Sequence, residues 1–334
     1  MNRRPRMPRM VLFVLPVVVV AAACGSGGDS GAEAAGGEVS GEPEMLIRAP
    51  IADEVTEGLH YRPPTLRFAS VSGADEEATT DRYAELVEHL AAELGMEVDY
   101  IETTDYSSVI EAMRAGRVDV ATYGPFSYVI ASTEANALSL VAQPNQETGE
   151  LGYQSLIITN AASDITTLED LKGRSMAFAD PASTSGHLFP RLILAEAGIT
   201  DLDAYFSERI FSGGHDASLV AVANNQIDAA GVCSTCIERY YREGLAKPED
   251  VRVIAESETI PPSPVAVRAD LDPELRQEIT DVFLDLLDEA PEIMARISRL
   301  DEAPTHPYVP VADADYDVIR RLAEELDVDL AELD

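Results

Sequence analysis

Short apolar runs alternate with amphipathic stretches along the chain from residue 65 onward. Turn-forming residues bound each apolar run, as is typical of buried strands. Between the runs, apolar residues recur at the spacing of one helix face. The segment 82–94 (RYAELVEHLAAEL), followed by Gly95 at a C-cap position, is the clearest of these predicted helices.

Alternating strands and helices indicate an α/β protein whose mostly parallel sheets are covered by helices. The alternation occurs twice before the chain returns to helices, so we predict two lobes. Ligands of open α/β sheets bind beyond the carboxyl ends of the strands, which places the ligand cleft between the lobes. Chain crossings are predicted near 152–156 and 260–267. The predicted strands are 66–71, 98–103, 118–122, 155–159, 175–179, 205–211, 227–232, 251–255 and 264–267, and the predicted helices are 82–94, 105–115, 188–197, 216–224, 275–288, 291–300 and 316–326.

Three consecutive hydroxyl residues, Ser183, Thr184 and Ser185, lie between a predicted strand and a predicted helix. Free backbone N–H groups and the positive end of the helix dipole gather at such a position. A single serine there would indicate only an N-cap. The run of three exceeds what capping needs and favours a site for an anion, phosphate above all.

Two further strand-to-helix loops face the same predicted cleft. In 104–108 (TDYSS), a capping Asp105 would place Tyr106 in the first helical turn, although most tyrosines simply pack on neighbours. In 212–216 (SGGHD), the glycines permit close backbone approach, and His215 stands at a helix start. A lone histidine is more often a surface or capping residue, but this position mirrors the other two loops. His215 can donate a hydrogen bond to an oxyanion.

The N-terminus is typical of a secretory signal, with arginines followed by an apolar run to residue 23. The sequence Ala-Ala-Ala-Cys24-Gly resembles a bacterial lipoprotein cleavage box, except that alanine replaces the usual leucine. This resemblance implies a signal peptide at 1–23, lipid on Cys24 and a flexible linker within 24–62, rich in Gly, Ser, Ala and Glu at its start. We expect an extracytoplasmic, lipid-anchored protein, either periplasmic or on the outer face of the membrane.

The chain is strongly acidic, with a formal charge of −36, and loss of a signal peptide that holds four arginines and no acid would make it −40. Such a surface repels nucleic acid and anionic lipid, so neither is predicted as a partner. It also argues against long-range steering of an anion. Any anion site must therefore act at short range, through aimed amides and hydroxyls.

Cys233 and Cys236 form a C-x-x-C pair in an exported chain. The compartment favours a disulfide. A redox role is disfavoured because no thioredoxin-like context surrounds the pair. A metal site would need two more ligands, and neither a second C-x-x-C nor a nearby histidine pair supplies them. We predict no metal and no cofactor.

Several stretches, in order along the folded region, resemble the phosphonate, phosphite and phosphate substrate-binding proteins of ABC importers. The resemblance implies the type II periplasmic-binding-protein fold, with lobe 1 at 63–152 and 264–334 and lobe 2 at 153–263. No single stretch is specific, but their combination is. The matching stretches are DYSSVIEAMR at 105–114, VDVATYGP at 118–125, GYQS at 152–155, LEDLKG at 168–173, DPASTSG at 180–186, HDASLVAVAN at 215–224 and IDAA at 227–230.

The resemblance assigns roles to individual residues. It implies that the hydroxyl triplet and His215 hold the oxyanion and that two tyrosines contact the ligand. Family members that bind aminoethylphosphonate hold its ammonium group with acidic residues, and those places align with Thr235 and Ser263 here, neither of them acidic. A ligand without an amine therefore fits better. The implied ligand-binding residues are Tyr106, Tyr153, Ser183, Thr184, Ser185 and His215, with Thr235, Ser263, Asp216 and Tyr123 as further candidates.

These observations predict a monomeric binding protein that delivers a small phosphorus oxyanion to an ABC permease. A protein for another anion, such as a sulfonate or an organic acid, is the nearest alternative. An enzyme or a sensor on the same fold is a further one. The cleft candidates offer no nucleophile, base and orienting group in the required order, so catalysis is not predicted.

Overall fold

The computed structural model describes residues 60–71 and 76–328, without the side chains of 76–79. The predicted signal peptide, Cys24 and nearly all of the predicted linker lie outside the described residues. Within the part of the chain that the structure describes, no helix is both long and apolar enough to cross a membrane.

The described chain alternates between strands and helices, as predicted. The strands are β1 (Thr65–Ser70), β2 (Glu97–Tyr100), β3 (Val120–Thr122), β4 (Ala137–Ala142), β5 (Ser155–Asn160), β6 (Ser175–Phe178), β7 (Glu208–Phe211), β8 (Ala229–Cys233), β9 (Val251–Glu256), β10 (Pro264–Arg268) and β11 (Val309–Pro310). The α-helices are α1 (Glu76–Leu94), α2 (Tyr106–Arg114), α3 (Pro125–Glu134), α4 (Phe189–Glu196), α5 (Leu202–Tyr205), α6 (His215–Ala223), α7 (Ser234–Arg242), α8 (Pro273–Glu289), α9 (Pro291–Ile297) and α10 (Asp317–Glu325).

The strands form two sheets, each the centre of one α/β lobe. The first sheet has the order β11-β4-β10-β3-β1-β2 and the second has the order β7-β6-β8-β5-β9. Parallel pairing joins β2, β1 and β3 in the first sheet and β7, β6 and β8 in the second. The other described pairs are antiparallel, so the expectation of mostly parallel sheets was wrong. The strands that follow a crossing, β5 and β10, run antiparallel to both of their neighbours.

The chain passes between the sheets twice, from β4 to β5 and from β9 to β10. The two crossing segments pair with each other: the Tyr153 N–H donates to the Ile260 carbonyl at 3.1 Å, and the Ile260 N–H donates back at 2.7 Å. Gly152, with φ of 142°, leads into this pair, and a Cβ there would lie 2.5 Å from the Ile260 carbonyl oxygen. Glycine is thus required where the segments approach.

Both faces of the central strands of each sheet are buried, which explains their nearly continuous apolar runs, whereas the edge strand β7 is exposed. On the first sheet, Leu66 and Phe68 face a cluster that contains residues of α1 and α8, whereas Ala69 faces another cluster with residues of α2, α3 and α10. On the second sheet, Ile157 and Ile158 likewise belong to different clusters. Alternate residues of one strand therefore serve two separate cores.

Some predicted boundaries differ from those of the structure. The helix predicted from residue 188 begins earlier, because a π-helical turn, Thr184–Leu188, precedes α4. The strand predicted at 205–211 shortens to β7, since α5 ends at Tyr205. The pattern did not predict α3, β4, α7 or β11. The lobe boundaries at 63–152 with 264–334 and at 153–263 stay a prediction.

Gly152→Ala is expected to lower the free energy of unfolding by more than Gly173→Ala. Both glycines have positive φ, 142° and 74°, so each substitution adds backbone strain of about 1–3 kcal/mol. At Gly173, however, a new Cβ meets no atom within 4 Å, whereas at Gly152 it collides with the paired crossing segment. Denaturant unfolding of both variants measures the difference. Equal losses would contradict a steric constraint at the crossing.

Candidate functional site

A cavity of 1220 Å³ lies between the two lobes and is lined by loops from both. The second lobe contributes the hydroxyl triplet and His215, and the first contributes Tyr106. The structure thus brings together the six principal residues predicted from the sequence, since Tyr153 lines the same cavity. Their side chains reach it from separate loops, at the position expected for ligands of open α/β sheets.

The hydroxyl triplet opens the helical segment that follows β6. Ser183 is the N-cap: its Oγ accepts a hydrogen bond from the Gly186 N–H at 3.1 Å. The turn before it is held by Asp180, whose carboxylate accepts from the Ala182 N–H at 2.7 Å. All three hydroxyl residues are at least 98% buried, so their hydroxyls are turned away from bulk water. The positive end of the helix dipole stabilises any anion bound there.

His215 approaches Ser183 from the neighbouring loop, with its Nε2 3.4 Å from the Ser183 Oγ. The approach depends on Gly186, because a Cβ at that position would lie 2.8 Å from the His215 ring and 2.9 Å from Ser183 Oγ. His215 is the first residue of α6, and its buried Nδ1 has no hydrogen-bond partner among the described residues.

Burial lowers the pKa of His215 to about 4, and the charge of Arg239 adds to this shift, while Asp216 opposes it. The imidazole is therefore neutral at pH 7 and can donate one N–H to an oxyanion.

Two buried tyrosine hydroxyls complete the polar wall. Burial raises the pKa of Tyr106, as does the nearby Asp180 carboxylate, while a hydrogen bond with Ser183 opposes the shift. Burial also raises the pKa of Tyr153, against hydrogen bonds with Ser185, Thr184 and Ser263. Both phenols stay protonated at pH 7 and can donate hydrogen bonds to an anion.

The start of α3 is a site component that the sequence reasoning missed. The Phe126 N–H, in the first turn of α3, donates to the Thr184 Oγ1 at 2.8 Å and so joins the first lobe to the hydroxyl triplet of the second. Gly124 is the N-cap, and a Cβ there would be in van der Waals contact with the same oxygen at 3.4 Å. The Gly-Pro pair at 124–125 was the available signal, because proline is typical of the first helical position.

The secondary candidates occupy different places. Thr235 and Ser263 are exposed and line the cavity, and the Ser263 side chain contacts the Tyr153 phenol. Asp216 also lines it, with a buried carboxylate oxygen that lacks a hydrogen-bond partner among the described residues. Tyr123 also lines the cavity, but its hydroxyl donates to the Met113 sulfur at 3.4 Å. The single hydrogen of the Tyr123 hydroxyl is therefore already engaged in that bond.

A disulfide joins Cys233 and Cys236, whose Cα atoms are 5.2 Å apart. The bond closes the first turn of α7, and the Ser234 Oγ inside it accepts from the Gln154 N–H at 3.0 Å, next to the first crossing. His215 and the two sulfurs also bring their ligand atoms within 4.8 Å of one another. Sulfurs held in a disulfide cannot act as thiolate ligands, so this set does not form a metal site in this state.

Comparison with known proteins gives the site its context. Residues 68–316 match the family described as "ABC transporter, phosphonate, periplasmic substrate-binding protein". The chain is 32% identical to the phosphate-import protein PhnD of Mycolicibacterium smegmatis, over 78% of this chain and 86% of that protein. It belongs to this family. Its members are substrate-binding components of ABC importers rather than enzymes, and their place is outside the cytoplasm.

Two further relatives support the same assignment. The phosphonates-binding periplasmic protein of Escherichia coli is 31% identical over 72% of this chain and 71% of its own length. The solved structure of PhnD1 from Prochlorococcus marinus in complex with methylphosphonate superposes with a TM-score of 0.70, over 80% of this chain and 99% of that one, at 19% identity. At this identity the likeness shows the fold alone. The resemblance and the type II periplasmic-binding-protein fold predicted from the sequence are thus confirmed.

His215 is expected to make the protein less stable as the pH falls from 6.5 toward 4. An unfolded chain takes up a proton on this histidine near pH 6.5, but burial holds the folded pKa at about 4, so the unfolded state binds more protons in this window. Between pH 7 and pH 4, the free energy of unfolding of His215→Gln should fall by up to about 3 kcal/mol less than that of the wild type. Chemical unfolding between pH 7 and 4 measures it.

Two other buried groups titrate in the same window and remain in the variant. Burial lowers the pKa of His187 to about 4, in the same direction as His215, and raises that of Asp180 to about 6, in the opposite direction. The difference between wild type and variant therefore isolates His215. Parallel pH profiles would contradict the burial of a neutral imidazole.

Proposed function

We propose that this protein binds a small phosphorus oxyanion without an amine, namely phosphate, phosphite or a small alkylphosphonate, and delivers it to the membrane permease. The observation that carries the proposal is the convergence of the buried hydroxyl triplet, neutral His215 and two protonated tyrosines on one interlobe cavity. These groups can donate several hydrogen bonds to one anion. Hydrogen bonds to a charged group are roughly twice as strong as those between neutral groups.

The choice of ligand class rests on what stands at the cavity wall. Thr235 and Ser263 lie at the places where the resemblance puts the acidic residues that hold an ammonium group. Uncharged side chains there give an ammonium group no charged partner at these two positions. The names of the two relatives at 31–32% identity, which concern phosphate and phosphonates, agree with this range.

The delivery mechanism follows from the two crossings. Binding groups sit on both lobes, so closure about the paired crossing segments would enclose the anion and opening would release it at the permease.

Ser183→Ala and His215→Ala are each expected to weaken phosphate or methylphosphonate binding by about 1.5–3 kcal/mol, because each removes a hydrogen bond to a charged group. Isothermal titration of phosphate, phosphite, methylphosphonate, aminoethylphosphonate and sulfate measures affinity and selectivity. Wild type should bind the first three with dissociation constants of about 1 μM or lower, near −8 kcal/mol.

Ser163→Ala is the matched control, since Ser163 lies in a turn of the second lobe and donates to the Asn160 carbonyl away from the cavity. It should leave affinity unchanged. Full affinity in both site variants would refute the site. Tighter binding of sulfate or aminoethylphosphonate than of the three proposed ligands would refute the ligand class.

The proposal also includes a lipid anchor on Cys24, which the lipoprotein-like cleavage box supports. Cys24→Ser is expected to release the protein from the membrane fraction, because the thiol that would carry the lipid is lost. Fractionation of cells that produce both forms, with blotting for the protein, measures the shift. Equal membrane association of the two forms would rule out anchoring through Cys24.

A further inference from the structure

Three arginines from distant parts of the chain line the same cavity as the oxyanion groups. Arg82 lies on α1, Arg299 follows α9, and Arg239 lies on α7 in the opposite lobe. We call these three residues the arginine cluster. In a chain with 24 basic and 60 acidic residues, such a concentration of positive charge inside a cleft is unexpected.

The cluster has fewer partners than its charge requires. The Arg299 Nη1 lies 3.1 Å from the Glu243 carboxylate, and the Arg239 Nε lies 3.8 Å from it. The Nε atoms of Arg82 and Arg239 are buried and have no hydrogen-bond partner among the described residues. Their guanidinium groups stack on Tyr83 and Tyr240, at 4.8 and 4.6 Å from the ring centroids. Stacking fixes the position of a guanidinium group and leaves its N–H groups free to bind an anion.

Other arginines that line the cavity differ in this respect. Arg242 pairs with Asp301 at 3.5 Å and with Glu147 at 3.8 Å, and Arg296 pairs with Glu85 at 2.9 Å. These three acidic partners are 41–80% exposed. Within the cluster, by contrast, Arg239 and Arg299 share one carboxylate, Glu243, although four other acidic residues also line the cavity, namely Glu147, Asp216, Glu238 and Glu256.

The charges of the cluster act on one another and on the oxyanion site. Burial lowers the pKa of Arg299, and the charges of Arg82 and Arg239 lower it further in spite of Glu243. Arg239 also lowers the pKa of His215. The cluster is therefore near enough to His215 to influence it. The Asp216 carboxylate opposes the effect of Arg239 on His215.

We propose that the arginine cluster is a second subsite, which receives a carboxylate at the far end of a phosphonate held by the hydroxyl triplet and His215. The inference rests on the proposed function and extends its ligand range to phosphonocarboxylates, compounds with two anionic ends. A guanidinium group can grip a carboxylate through two parallel hydrogen bonds. The volume of 1220 Å³ leaves room beyond the oxyanion position for such a ligand.

The test compares ligands of equal length that differ in their second charge. Isothermal titration of the full-length folded protein would use 3-phosphonopropionate against propylphosphonate, with phosphonoacetate and 4-phosphonobutyrate to find the best chain length. Wild type should bind the best phosphonocarboxylate at least about tenfold more tightly than the alkylphosphonate of the same length, which lacks the carboxylate. The preference should decrease as salt is added.

Arg239→Gln and Arg299→Gln should each reduce this preference to near unity. The readout is the ratio of the two affinities, because Arg239 also acts on His215 and its loss can change both. Arg174→Gln is the matched control: it removes the same charge from a residue outside the cavity lining, which pairs with Asp164 at 2.8 Å. The control should keep the wild-type ratio, and melting curves establish that each variant is folded.

The outcomes separate this inference from the proposed function. If wild type binds methylphosphonate but shows no preference for a phosphonocarboxylate of any length, the second subsite is wrong and the proposed function stands. If the preference exists but survives in both cluster variants, the arginine cluster is not its cause. If no phosphorus compound binds, the proposed function itself fails, and the subsite fails with it.

Discussion

The backbone pairing between the two crossing segments is the constraint on which the rest of the structure depends. Two reciprocal hydrogen bonds join Tyr153 to Ile260, and the carbonyl of Ile260 excludes any side chain at position 152. The same Tyr153 carries a phenol into the cavity. The residue that fixes the path of the chain between the lobes therefore also contributes to the site, so the relative position of the lobes and the geometry of the site are set together.

The site reconciles a very acidic protein with an anionic ligand through short-range groups. Hydroxyls and amides at helix starts offer oriented partial charges, and burial makes them effective because little water competes with them. Burial also keeps His215 neutral and both phenols protonated, so the groups that would bind the oxyanion stay donors over a wide pH range. A cleft built in this way discriminates by geometry rather than by attraction at a distance.

Local signals made much of the fold and of the site predictable. The hydroxyl triplet, Tyr106 and His215 each stand at a strand-to-helix junction, and short-range patterns of this kind fix helix starts. The family resemblance then supplied the roles of individual residues. Of what this resemblance implies, the comparisons with known proteins confirm the family and the fold.

Other features had no local signal. The helix α3 is buried on nearly all sides, so its sequence (PFSYVIASTE) lacks the polar face that marks an amphipathic helix. The bond between Phe126 and Thr184 joins residues 58 positions apart. The arginine cluster collects three side chains from three separate helical regions, and only the folded arrangement of the lobes brings them together.

The bond from the Phe126 amide to the Thr184 hydroxyl has a consequence for release as well as capture. A hydroxyl that accepts a hydrogen bond from one side still has its own hydrogen to donate, and the Thr184 hydroxyl is also hydrogen-bonded with the Tyr153 phenol in the same cavity. The amide of the first lobe thereby polarises a donor of the second, and each bond in the chain strengthens the next. Separation of the lobes would break the bond between Phe126 and Thr184. The site would then hold its ligand less tightly at the start of release to the permease, before the ligand has left.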